Sequence, residues 1–77
     1  MKSLRLDQLS TGKMYQISGF EVSQSVYAEK LHKMGFVTGT PVRLAPVALK
    51  DPMVIELRGS RIALRRSEAS QVLVEEI

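Results

Sequence analysis

The stretch Lys30-Leu31-His32-Lys33-Met34-Gly35-Phe36-Val37-Thr38-Gly39-Thr40-Pro41-Val42 decides the fold of this chain. It reads as the last turn of a helix, a glycine stop, a tight reversal and the first residues of a strand. Lys30, His32 and Lys33 put positive or polarisable groups in the last helical turn, where the C-terminal end of the dipole favours them. Gly35 follows, and glycine reaches the left-handed conformation of a C′ position without a Cβ clash. Phe36 then falls at C″, where an apolar side chain often packs back towards C3, near Leu31 or Lys33. Val37-Thr38-Gly39-Thr40 gives a second reversal, and Pro41 fixes φ and blocks a return to helix. One short helix is thus delivered into the start of a sheet.

Upstream, the helix spans about residues 26–34, with Ser25 as its N-cap. The capping box is missing, because Ala28 stands three residues on. Tyr27, Leu31 and Met34 lie at i, i+4 and i+7 and form one apolar stripe. Glu29 and Lys33 are an i, i+4 pair on the other side, worth ~0.2–0.5 kcal/mol. Residues 21–24 read as a loop. In residues 13–20, Tyr15 and Ile17 alternate with Gln16 and Ser18, a strand pattern. Gly19 marks a bulge or a close backbone approach. Leu6 to Leu9 makes one helical turn at most, ended by Ser10-Thr11-Gly12.

Downstream, Val42 and Leu44 alternate with Arg43 and Ala45. Pro46 puts this strand at an edge or breaks it. Leu49-Lys50-Asp51-Pro52 is a turn. Met53, Ile55 and Leu57 then alternate with Val54, Glu56 and Arg58, and Ile62 and Leu64 with Arg61, Ala63 and Arg65. Gly59-Ser60 reads as a two-residue turn of the II′ kind between them. That turn pairs Arg58 with Arg61, Leu57 with Ile62, Glu56 with Ala63 and Ile55 with Leu64. The inward pairs share one apolar face, which a one-residue slip would break. Ser67-Glu68-Ala69-Ser70 reads as a helical turn capped by Ser67, and Val72 and Val74 begin a closing strand. The expected fold is mainly β: about five strands, one short α-helix after the first strand and a helical turn before the last. So short a sheet leaves edges exposed unless it closes into a small barrel.

The bulk numbers bound the function. Seventy-seven residues make a single domain, residues 1–77, too small to hold both a full core and a large active-site cavity. The chain has no cysteine, which removes disulfides, thiolate nucleophiles, iron–sulfur clusters and Cys-based zinc sites. No apolar run reaches signal-peptide or membrane-spanning length, so a cytoplasmic location is expected. The net charge of +3 gives a mild attraction to anions.

No catalytic constellation stands out. Asp7, Asp51 and the glutamates are not paired for acid–base work. The serines lack a base partner, and no G-x-x-x-x-G-K phosphate loop exists. His32, the sole histidine, has at most Glu29 at i−3 beside it, and two ligands make a poor metal site. Neither an enzyme, a cofactor nor a bound metal is therefore expected. Two surfaces remain as candidates for binding a partner. One is the helix-end junction, with Leu31, Met34, Phe36 and Val37, where full burial of Phe36 would end the idea of an apolar groove. The other is the hairpin tip, where Arg58 and Arg61 could hold an anion.

Taken together, several short motifs resemble the FeoA-domain family. They are Leu6-x-x-Leu9-x-x-Gly12, Lys30-Leu31-x-x-Met34-Gly35-Phe36-x-x-Gly39-Thr40, Asp51-Pro52-x-Val54-Ile55, Ile62-Ala63-Leu64-Arg65 and Glu68-Ala69-x-x-Val72-x-Val74. They cover nearly the whole chain in the family's order, although Lys50 stands where the family usually has Gly. The resemblance implies an SH3-like β-barrel, a fold shared with the C-terminal part of iron-dependent repressors, and a transition-metal context. It implies a non-catalytic cytosolic accessory of ferrous iron uptake, docking on and modulating a FeoB-type transporter without spanning the membrane itself. A nucleic-acid-binding small barrel and a detached metal-sensing domain are the alternatives. Against the first stands the scarcity of aromatic residues on the strands, so no nucleic acid is expected. Exposed strand edges leave room for a weak homo-oligomer.

Overall fold

The computed structural model describes residues 4–21, 25–46 and 51–77. Its elements run β1 (Leu4–Arg5), a single 3-10 turn (Leu6–Gln8), β2 (Tyr15–Phe20), α1 (Val26–Lys33), β3 (Pro41–Leu44), β4 (Met53–Leu57), β5 (Ser60–Leu64), α2 (Arg66–Ala69) and β6 (Val72–Glu76). All strand pairs are antiparallel, in the order β1-β6-β2-β3-β4-β5. Among the described residues there are six strands rather than about five, because Leu4 and Arg5 pair with Val74 and Leu73. Two residues are too few to show alternation in the sequence.

The sheet wraps a single core. Tyr15, Ile17, Val42, Met53, Ile55, Leu57, Leu64, Val72 and Val74 come from five strands and join one buried cluster with Leu31 and Phe36. A sheet that buries one face from so many strands must curl on itself, which gives the SH3-like shape. Among the described residues β1 and β5 end the hydrogen-bonded order without pairing to each other.

The helix-to-sheet junction follows the local rules. The Ser25 hydroxyl accepts from the Ala28 N–H at 2.9 Å and caps α1. At the other end the Gly35 N–H donates to the His32 carbonyl (3.1 Å) and the Phe36 N–H to the Leu31 carbonyl (3.0 Å). Those bonds are the Schellman pattern, with Gly35 at φ +106°. In residues 37–40 the Thr40 N–H returns to the Val37 carbonyl (3.0 Å). Ile17 then clamps this turn to β2, its N–H donating to the Thr40 carbonyl (3.0 Å) and its carbonyl accepting from Gly39 (2.7 Å). Glu29 and Lys33 are both exposed and form no ion pair among the described residues.

Gly19 does sit at a bulge, since Ile17 faces Val74 while Gly19 faces Leu73. β3 is not an edge strand, because β2 and β4 flank it, and it ends at Leu44 before Pro46. Leu49 and Lys50 lie outside the described residues.

Two readings need correction. The hairpin turn is Arg58-Gly59, not Gly59-Ser60: Leu57 faces Ser60, Glu56 faces Arg61 and Ile55 faces Ile62. Both turn residues have positive φ, +51° and +79°, the I′ signature, which suits the right-handed twist of paired strands. The cap of α2 is also different. Ser67 lies inside the helix and Arg65 precedes it, its N–H donating to Glu68 Oε1 at 3.1 Å. The Arg66 N–H donates to Asp51 Oδ1 at 3.1 Å, so a carboxylate from a distant turn caps the second free amide.

Glu68 also ties the helices together. Its carboxylate accepts from the Tyr27 hydroxyl of α1, and that bond, followed by the Arg65 backbone amide, holds the carboxyl below its usual range. Burial first, then Glu68, pushes the Tyr27 hydroxyl up. A carboxyl depressed in the folded state adds stability above its unfolded pKa, and that stability is lost as pH falls through the lower folded value. Tyr27→Phe is expected to cost about 1 kcal/mol at neutral pH. It should also return the Glu68 midpoint towards 4.5, its ordinary value, which carboxyl carbon titration by NMR would read directly. An unmoved midpoint would show that Tyr27 does not hold Glu68.

Candidate functional site

The two surfaces named by the sequence fare differently. At the junction, Leu31 is 1% and Phe36 0% exposed, so both belong to the core. The Schellman bond that places Phe36 at C″ turns its ring inward over the sheet. The apolar groove expected there is not formed. Met34 and Val37 remain half-buried at the rim. His32 is exposed on α1, its ring 6.3 Å from that of Phe20. No three His, Asp or Glu side chains converge as a metal cluster among the described residues.

The hairpin tip is built up by the corrected register. Residues 43, 56 and 61 form one row across three adjacent strands, because Arg43 faces Glu56 and Glu56 faces Arg61. Arg43 follows buried Val42, Glu56 lies between buried Ile55 and Leu57, and Arg61 precedes half-buried Ile62, so the row shares the outer face. Arg43 Nε donates to Glu56 Oε1, and Arg61 Nε donates to Glu56 Oε2 at 2.8 Å. One carboxylate thus spaces two guanidinium groups. The Arg43 guanidinium, then that of Arg61, holds the Glu56 carboxyl below its usual range. The arginine side chains are 56% and 57% exposed, and the Glu56 side chain between them is 17% exposed. Arg58 stands beside them at the turn, exposed and without a partner among the described residues. Met14 and Pro41 wall the same depression, and Met14 is 44% exposed. The expected Arg58–Arg61 facing pair does not occur.

The family model described as FeoA domain matches residues 4–76. The chain belongs to the FeoA-domain family. It is 35% identical over 75 residues to the Fe(2+) transport protein A/Fe(2+) transporter FeoB fusion protein of Porphyromonas gingivalis. That match takes in 94% of this chain but only 8% of the fusion protein. The solution structure of iron(II) transport protein A from Clostridium thermocellum is 37% identical with a TM-score of 0.85, covering 96% of this chain and 46% of that one. An FeoA-like protein from Clostridium acetobutylicum is 31% identical with a TM-score of 0.85, covering all (100%) of this chain and 90% of that one.

Of the residues on this face of the FeoA domain, the sequence offers Arg58 and Arg61 as candidates but does not join Arg43, Glu56 or Met14 to them. Arg43 and Glu56 are 13 residues apart in sequence, so only strand pairing brings them together. The signal that could have found them is the opposite charge of Glu56 and Arg61, which favours placing them face to face.

Proposed function

We propose that this FeoA domain is a non-catalytic accessory of ferrous iron uptake that docks on the cytosolic side of a FeoB-type transporter and modulates it. The observation that carries this reading is the fused relative, in which one chain carries the names of both transport protein A and FeoB. Fusion holds two modules at high effective concentration, which suits modules that act on one another. With no chemistry of its own, the domain would act by binding one conformation of the transporter better than another. No helix among the described residues is long and apolar enough to cross a membrane, consistent with a module that meets the transporter from outside the bilayer. The test is an amide chemical-shift titration of the labelled domain with the soluble cytosolic region of its cognate transporter. Saturable shifts confined to one patch are expected. Their absence at high concentration would reject direct docking.

A further inference from the structure

The row of Arg43, Glu56 and Arg61 has a property that an ordinary surface ion pair lacks. Each arginine gives its Nε–H to the shared carboxylate. The terminal nitrogens of both guanidinium groups have no partner among the described residues. Glu56 therefore fixes two positively charged forks in place and leaves their donor edges open, at the low entropy cost of a held side chain. The strands that carry them are two steps apart, so their backbones lie about 10 Å from each other. Glu56 between them repels any compact anion that would bridge both forks at once. A ligand with two carboxylates spaced by two or three residues of extended chain, about 7–10 Å, reaches one fork with each and avoids Glu56.

Arg58 adds a second, independent observation. It holds the left-handed conformation at φ +51°, where Asn or Gly is the residue that fits an I′ turn. An arginine kept in a costly conformation, solvent-exposed and without an ion pair among the described residues, is better accounted for by something it binds than by the turn. Met14 and Pro41 supply apolar contact beside these charges. No aromatic residue alternates onto this outer face of β3, β4 and β5, which removes the stacking platform that single-stranded nucleic acid uses.

We infer that the outer face formed by Arg43, Glu56, Arg58 and Arg61, with Met14, docks an acidic segment of a partner protein. The inference rests on the docking reading above and names the surface and the partner chemistry.

The test uses the full chain, 15N-labelled, at constant ionic strength. The probes are a short oligoglutamate peptide, inorganic phosphate, an oligouridine strand, vesicles of anionic phospholipid and the cytosolic region of the cognate transporter. The peptide is expected to shift the amides of residues 56–61 and the Nε–H signals of Arg43 and Arg61, more tightly than phosphate does. Arg43→Gln and Arg61→Gln should each weaken it about fivefold, as for one exposed ion pair. Arg58→Asn is the decisive variant, because it should fold at least as well as the parent and yet bind the peptide more weakly. Tighter binding of phosphate, oligouridine or vesicles at these residues would overturn the assignment of the partner. So would peptide shifts elsewhere, or unchanged affinity in Arg58→Asn and Arg61→Gln together. Transporter-induced shifts at Met34 and Val37 alone would overturn the inference and leave docking standing. Peptide binding at the arginines with no response to the transporter region would keep the ligand chemistry and reject that docking partner.

Discussion

Phe36→Ala is expected to lower the melting temperature by at least about 12 °C and to leave a large share of the chain unfolded at 37 °C. The ring is 0% exposed and sits in the core cluster with Leu31, Ile55 and Leu57. Truncating a buried phenylalanine costs about 3–5 kcal/mol, since apolar contact is lost and the cavity closes only in part. Domains of this size hold roughly 4–12 kcal/mol in all, and each kcal/mol moves the midpoint by about 4–8 °C. Circular dichroism melts of Phe36→Ala against Val26→Ala make the measurement. Val26 is 85% exposed, so its truncation should stay within about 0.5 kcal/mol of the parent. A loss below about 1 kcal/mol at Phe36 would mean that the ring does not seat in the core as described. The result also bears on docking experiments. Weaker transporter binding by a Phe36 variant would report unfolding, whereas Met34 and Val37 can be changed at the rim with the core intact.

The junction was legible because its determinants are local. A cap, a glycine and a proline act on backbone geometry within a few residues, and Ser25, Gly35 and Pro41 all behave as their chemistry dictates. The burial of Phe36 was not legible, because a C″ side chain can close a core or rim a groove, and the choice depends on strands far along the chain. The hairpin teaches a different lesson. Alternation fixes which residues face inward, but it constrains register only modulo two. The expected and observed pairings differ by two residues and turn the same set inward, buried Ile55, Leu57 and Leu64 with half-buried Ile62. Charge breaks the tie. The first register sets Arg58 against Arg61, which costs energy, and the observed one sets Glu56 against Arg61, which gains it. The candidate docking face stayed hidden for that reason, since Glu56 joins the arginines only in the second register. The cap of α2 was missed on similar grounds. Ser67 has the right chemistry at the wrong place, while Asp51 reaches Arg66 from a turn 15 residues away.

Gly35→Ala tests the junction at the level of the backbone, and a loss of about 1–3 kcal/mol is expected. The glycine has φ +106°, beyond the left-handed region that other residues occasionally occupy. A Cβ there would meet Leu57 Cδ1 at 3.4 Å, the near edge of ordinary contact, so conformation rather than space sets the cost. To relax, an alanine must rotate φ, and that rotation pulls the Phe36 N–H from the Leu31 carbonyl and lifts the ring from its seat. Strain and loss of packing are therefore coupled at this position. Gly39→Ala is the comparison, because Gly39 has a similar φ of +90° but open space where its Cβ would go. Alanine also stiffens the unfolded chain at both sites, offsetting part of each loss by about 0.4–1 kcal/mol. Urea melts should thus rank the parent above Gly39→Ala, and Gly39→Ala above Gly35→Ala. Gly35→Asn should lie above Gly35→Ala, since asparagine tolerates positive φ better than alanine does. Equal losses for Ala and Asn would assign the cost to contact with Leu57 rather than to conformation. A neutral Gly35→Ala would mean that α1 does not end in a left-handed glycine, and the route from helix into sheet would have to be redrawn.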